Sequence, residues 1–203
     1  MLNENIANYN KVINDKHSIG ITAGFAYQQT TSTSAGASGT GFLSDVTGTG
    51  NIGSAAIPGI PSSGYSKDAL SSLISRINYG YDDRYLLTLS YRRDGSSRYS
   101  KGNKWENFPS AAVAWRISRE KFMINVPTIS DLKLRASYGR TGSNSIGSYQ
   151  TLNQLSSFNT IFGDALTIAY APGANLPGNL KWETTNQLDI GIDLGLIKDR
   201  IRI

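Results

Sequence analysis

The sequence predicts an all-β chain: antiparallel strands in up-and-down order, the pattern of a transmembrane β-barrel segment. Three observations carry that expectation. Strand-like runs of about ten residues alternate apolar and polar side chains, near the ~9–11 residues a tilted strand needs to cross a bilayer. Aromatic residues sit toward the ends of the apolar faces, as they do in the two girdles of a membrane barrel. Short and long connections alternate along the chain, which an up-and-down hairpin series sorts to opposite ends. A soluble β-sandwich is the competing arrangement, because alternation alone also fits an apolar face turned into a core.

In chain order, Asn5 to Ile13 is a weakly patterned strand of ambiguous facing, and Asn14-Asp15 is turn-favouring. His17 to Gln28 carries Ile19, Ile21, Ala23, Phe25 and Tyr27 on one face. Residues 29–67 are rich in Thr, Ser, Gly and Ala and read as a long loop. Ala69 to Tyr81 is the next strand, with Leu73, Ile77 and Tyr79 on one face, and Asp82-Asp83 forms the tight turn after it. From Tyr85 to Arg92 the alternation is strict: Tyr85, Leu87, Leu89 and Tyr91 against Leu86, Thr88, Ser90 and Arg92. A polar loop over 94–107 leads to the strand at Ser110, where Ala111, Val113, Trp115 and Ile117 share a face. Ser118 to Ser130 is a connector with one helical turn closed by Pro127. Asp131 to Gly139 places Leu132, Leu134, Ala136 and Tyr138 opposite Lys133, Arg135 and Ser137. A third long loop covers 140–180. Gln187 to Gly195 then sets Leu188, Ile190, Ile192 and Leu194 against Asp189, Gly191 and Asp193, and Lys198-Asp199 turns into a last strand.

Composition narrows the function classes. The net charge of +5 is spread among Tyr, Ser and Asp and forms no patch, so nucleic acid is not an expected partner. With no Cys and one His, neither a thiolate metal site nor a His-based catalytic triad is expected, and no cofactor is implied. The final RIRI falls inside a starting strand, whose unpaired edge would expose backbone donors and acceptors. The expectation is a piece of a larger protein, with about eight strands over 1–203.

The stretches RINYGYDDRYLLTLSYRRDGSSRYSKGNKWENFPSAAVAWRISREKFM, ISDLKLRASYGRTGSNSIG and NLKWETTNQLDIGIDLGL occur in one order and spacing. Together they resemble the SusC/RagA-type TonB-linked outer-membrane transporters (TonB-dependent receptors) of Bacteroidetes. The resemblance implies a place in the wall of a plugged, 22-stranded barrel in the outer membrane of a Gram-negative bacterium. It implies import of large nutrients such as oligosaccharides or peptides, and no enzyme activity. The implied partners are outer-membrane lipid, the plug and remaining strands of the parent protein, the TonB complex, and a SusD-like surface lipoprotein. The long loops 29–67, 94–107 and 140–180 are then extracellular. The alternative function is a soluble secreted β-sandwich that binds carbohydrate or acts as an adhesin.

Each side chain takes a role on this reading. Leu87, Leu89, Val113, Trp115, Leu132, Leu134, Ile190 and Ile192 are expected to face lipid. Arg92, Arg116, Lys133, Arg135, Asp189 and Asp193 are expected to face the lumen. Asp189 and Asp193 lie ~13 Å apart on a strand, too far for a glycosidase pair. His17 beside its turn reads as a solvated imidazole. Tyr99 and Trp105 are candidate rings for stacking on substrate, with interface anchoring or loop packing the competing role for each.

Overall fold

The computed structural model describes residues 1–46, 48–126, 128–173, 179–197 and 200–202. Its strands are β1 (Leu2–Ile13), β2 (His17–Gly36), β3 (Gly39–Thr40), β4 (Ile57–Pro58), β5 (Ser62–Tyr81), β6 (Tyr85–Ser96), β7 (Trp105–Arg116), β8 (Ile129–Ser143), β9 (Leu155–Phe162), β10 (Ala165–Pro172), β11 (Glu183–Leu196) and β12 (Ile201–Arg202). Among the described residues eight of these make one sheet in the order β1-β2-β5-β6-β7-β8-β11-β12. Every neighbour pair in that sheet is antiparallel, so the sheet is an up-and-down meander. β3–β4 and β9–β10 are small separate hairpins within the long connections.

Two tight turns follow directly from residue chemistry. Asn14, Asp15, Asp82 and Asp83 all have φ between 50° and 55°. The Lys16 N–H donates to the Ile13 carbonyl (3.2 Å) and the Arg84 N–H to the Tyr81 carbonyl (2.9 Å). Two successive left-handed residues inside such a bond are a type I′ turn, whose twist matches the flanking strands and which Asn and Asp tolerate. The connector after β7 holds two short 3₁₀ turns, Ile117–Arg119 and Lys121–Met123. The expected closure at Pro127 and the turn at Lys198-Asp199 lie outside the described residues.

One expectation is corrected. The stretch 29–67 is not loop throughout: β2 continues to Gly36 and β5 begins at Ser62, with pairing unbroken from His17↔Tyr81 to Gly36↔Ser62. The Thr/Ser segments satisfy each other's backbone groups and need no core to do so, and Thr fits a pleated surface well. Twenty residues at ~3.3 Å each give roughly 65 Å, about twice the length of a bilayer-crossing strand. In the same way β6 runs on to Ser96 and β7 starts at Trp105, which leaves 97–104 as the connection between them. Pro109 sits inside β7 because the ladder to β8 begins only at Ser110, so its missing N–H interrupts no pairing on that side. The stretch 140–180 contains the β9–β10 hairpin and the end of β8.

Candidate functional site: two faces of one sheet

The register fixes which side chains share a face. Tyr79, Leu87, Val113, Ala136 and Ile190 lie in one cross-strand row, and Ile77, Leu89, Ala111, Tyr138 and Leu188 in the next. Trp115, Leu134 and Ile192 fall on the same side, as does Leu132 opposite Leu194. Among the described residues nothing covers this face. Ile190 is 77% exposed, Ile192 60% and Val113 53%, and the buried hydrophobics among the described residues are Tyr99, Phe108 and Trp182, none of them in these rows. A soluble single-chain protein rarely leaves so continuous an apolar surface open.

The opposite face is polar and built from small residues. Its rows run Leu86–Ala114–Arg135–Gly191 and Thr88–Ala112–Ser137–Asp189. Asp193 receives both Lys133 Nζ and Arg135 Nε at 3.1 Å. The Arg135 side chain lies across Gly191, where an added Cβ would sit 2.9 Å from Nε. Arg92 Nε donates to Asp94 (2.7 Å) while its Nη2 reaches Ser72, and Arg116 pairs with Asp83. Asp189 accepts from Gln187. With Asp193 held by two cations and Asp189 by an amide, the two carboxylates form no catalytic pair.

β1 is the exception to clean sorting. Tyr9 and Ile13 lie opposite Ile21 and His17 on the apolar side, but Lys11 and Asn5 share that side with them. Leu2, Ile6 and Val12 fall on the polar side.

At the short-turn end the apolar face is bordered by a line of rings crossing four strands. His17 approaches Tyr79 and Tyr81 (centroids 6.0 and 5.0 Å), Tyr81 stacks on Tyr85 (6.4 Å), and Tyr85 stacks on Trp115 (6.3 Å, 11° between planes). His17 is therefore not a free solvated imidazole: its Nδ1 is 2.8 Å from the Tyr79 hydroxyl, and cross-strand pairing places it among rings. Glu120, in the connector after β7, ties this border together. It accepts from the Tyr85 hydroxyl (2.8 Å), Trp115 Nε1 (3.1 Å) and Arg84 Nη1 (3.1 Å). The Tyr85 bond first, then those from Trp115 and Arg84, holds the Glu120 carboxyl below the usual range.

The long-connection end carries a small core on the polar side. Tyr99, Phe108 and Trp182 are buried against one another, with Leu70, Ile146 and Leu180 packed around them. Tyr99 and Trp182 centroids are 5.3 Å apart, and Phe108 meets Trp182 edge-on at 5.7 Å. The Trp182 indole donates to the Lys104 carbonyl (3.0 Å) and the Tyr99 hydroxyl to the Ser143 carbonyl (3.3 Å). Arg98 reaches Asp68 (3.3 Å) and the carbonyls of Asn144 and Ile146. Connections 97–104 and 144–182 are thereby fastened to each other and to β5. Beneath the cluster a hollow on the polar face is bordered by Arg92, Asp94, Ser110, Arg140 and Asn144.

The two candidate rings for stacking on substrate lie on opposite sides of the sheet. Tyr99 is 3% exposed and packs against Trp182. Trp105 lies opposite Gly95 on the apolar side of the sheet, not on the polar one. Phe108 was legible only as a break in alternation, a large ring in the row of Ser110 and Ala112. Trp182 precedes its strand, so no alternation assigns it to a face.

Comparison with known proteins agrees with this geometry. Residues 3–203 match the family "TonB dependent receptor-like, beta-barrel". TonB-dependent receptor P3 of Formosa agariphila is 38% identical over 202 residues, covering 100% of this chain and 20% of that protein. TonB-dependent receptor SusC of Bacteroides thetaiotaomicron is 40% identical over 143 residues, 67% of this chain and 14% of that protein. Among solved structures the RagAB peptide transporter superposes with a TM-score of 0.84 at 29% identity, over 99% of this chain and 22% of that one. The chain thus spans about a fifth of the length of the P3 receptor and of the RagAB transporter chain it matches. Its sheet is an open part of a barrel wall, and the chain belongs to the TonB-dependent receptor β-barrel family, of the SusC/RagA type, whose members reside in the outer membrane of Gram-negative Bacteroidetes.

Proposed function

We propose that this chain is a wall segment of a TonB-dependent outer-membrane transporter that imports large nutrients such as oligosaccharides or peptides. The observation that carries the proposal is the uncovered apolar face, bordered by the His17–Tyr79–Tyr81–Tyr85–Trp115 ring line and backed by an ion-paired polar face. Leu87, Leu89, Val113, Trp115, Leu132, Leu134, Ile190 and Ile192 lie in lipid on this reading. Arg92, Arg116, Lys133, Arg135, Asp189 and Asp193 line the lumen, where water and a plug domain solvate charge. The long connections stand outside the cell and the type I′ turns face the periplasm. The RagAB neighbour is a peptide transporter, and it supports peptides as one cargo class. Energy comes from a TonB complex, and a SusD-like lipoprotein covers the outer mouth. Any contact of the wall with cargo comes from the hollow bordered by Arg92, Asp94 and Arg140.

Nitroxide labels at Leu89→Cys and Ser137→Cys in the parent transporter test the facing. The label at 89 is expected to be relaxed by lipid-soluble oxygen and the label at 137 by a water-soluble reagent. The opposite pattern overturns the wall reading, and a label at 89 shielded from both reagents favours a soluble sandwich.

A further inference from the structure

Arg93 stands on the wrong face for a charge. It lies opposite Leu73 and two residues beyond Tyr91, in the row that carries Tyr85, Leu87 and Leu89. Arg84, Arg92, Arg98, Arg116, Arg119, Arg135 and Arg140 each contact a carboxylate. Arg93 contacts none among the described residues. Its guanidinium lies 5.3 Å over the Trp105 ring instead. Asp94 and Glu106, its acidic neighbours, point to the polar face, where they bind Arg92 and Arg140.

The pair is built, not incidental. Gly95 lies directly opposite Trp105, and a Cβ there would come within 2.6–2.7 Å of the indole ring, so the ring rests flat on bare backbone. Beside it the Asn107 side-chain oxygen accepts from the Tyr91 hydroxyl (2.7 Å), which leaves its amide nitrogen as a further donor. The Trp105 indole N–H has no acceptor among the described residues. The patch therefore offers guanidinium, indole and amide donors without a carboxylate, at the border where the apolar face ends toward the long connections. Donors without acceptors select an anion, and a stacked guanidinium binds phosphate through two parallel bonds.

We propose that Arg93, Trp105 and Asn107 form a binding site on the outer surface of the wall for the phosphate group of an outer-leaflet lipid such as lipid A. The proposal rests on the wall reading above, which turns this face to the membrane. The indole anchors at the headgroup level, Arg93 holds the phosphate, and the acyl chains run down over Tyr91, Leu89 and Leu87.

The test uses the parent transporter purified in detergent, with lipid A retention read by native mass spectrometry. Arg93→Gln is expected to weaken retention of phosphorylated lipid A roughly fivefold, the usual weight of one basic residue at a membrane surface, and Arg93→Glu more. Arg93→Lys is expected to keep most of it, and Trp105→Ala to weaken it without removing it. Dephosphorylated lipid A is expected to bind wild type and Arg93→Gln alike, and inorganic phosphate to compete only weakly. Unchanged retention in Arg93→Glu overturns the site, and so does full competition by inorganic phosphate, which would make it a free-anion site. Heat-modifiable gel mobility verifies that each variant is a folded barrel, and unchanged retention in Arg93→Gln, a milder change than Arg93→Glu, overturns the site if Arg93→Glu fails to assemble. If the labels at 89 and 137 report lipid and water as expected while lipid A retention ignores Arg93, only this inference fails.

Discussion

The two faces of the sheet are held by opposite means. On the polar face, side chains bind one another: Asp193 to Lys133 and Arg135, Arg92 to Asp94, Ser90 Oγ to Ser110 Oγ at 2.6 Å. On the apolar face the side chains lie beside one another in rows with no layer above among the described residues, and Ile190 and Ile192 stay largely exposed. The first face carries ion pairs and hydrogen bonds within the chain. The second is completed by its surroundings. A sheet can stand in this form only where the medium over its apolar side is not water, since each buried methylene contributes ~0.8 kcal/mol that this face would otherwise forgo.

Substitutions sharpen the contrast, and the largest effect is expected on the apolar side. Leu89→Arg puts a charge in the middle of that face and is expected to destabilise the assembled barrel by about 2–4 kcal/mol, read as loss of heat-modifiable mobility in outer-membrane fractions. Arg135→Ala on the polar face removes a half-exposed ion pair and is expected to change stability by under about 1 kcal/mol. Equal effects at the two positions would dissolve the distinction between the faces. Between them in size, Trp182→Ala opens the buried cluster of Tyr99, Phe108 and Trp182. It is expected to cost about 2 kcal/mol, below the range for a closed core because the cluster is one layer thick. The expected readout is faster proteolysis of connections 97–104 and 144–182, with membrane assembly intact.

The smallest expected effect concerns pH at the short-turn border. The Glu120 carboxyl is held low in the folded chain, so its bonds to Tyr85, Trp115 and Arg84 stabilise the fold above the ordinary carboxylate range. That contribution is lost as pH falls through the lowered folded value. Melting of wild type against Glu120→Gln is expected to differ at neutral pH and to converge in acid. A gap that widens on acidification would contradict the assignment of Glu120 as the tie of the ring border.

Much of the wall was legible in the residues. The strict alternation at Tyr85–Arg92, Asp131–Gly139 and Gln187–Gly195 matched strands because a period of two has no other use in a backbone. Asn14-Asp15 and Asp82-Asp83 named their own turns, since few residues accept two left-handed conformations in succession. The outer halves of β2 and β5 were not legible. Thr/Ser/Gly composition speaks to the lack of a core, whereas these strands are held by backbone pairing between residues at least 26 apart, Gly36↔Ser62 being the pair next to the connection. The cluster of Tyr99, Phe108 and Trp182 was hidden for the same reason, being assembled from a connection, a strand and the lead-in to another strand.

Composition and periodicity by themselves determined that this chain makes amphipathic antiparallel strands joined by tight turns at one end, because those are local consequences of side-chain alternation and φ preference. Only the tertiary structure decided what each strand lies beside. The register put His17 into a line of rings, placed Trp105 on the apolar face under Arg93, and closed Tyr99 into a core. Such placements depend on contacts between residues far apart in the chain, and no local pattern encodes them.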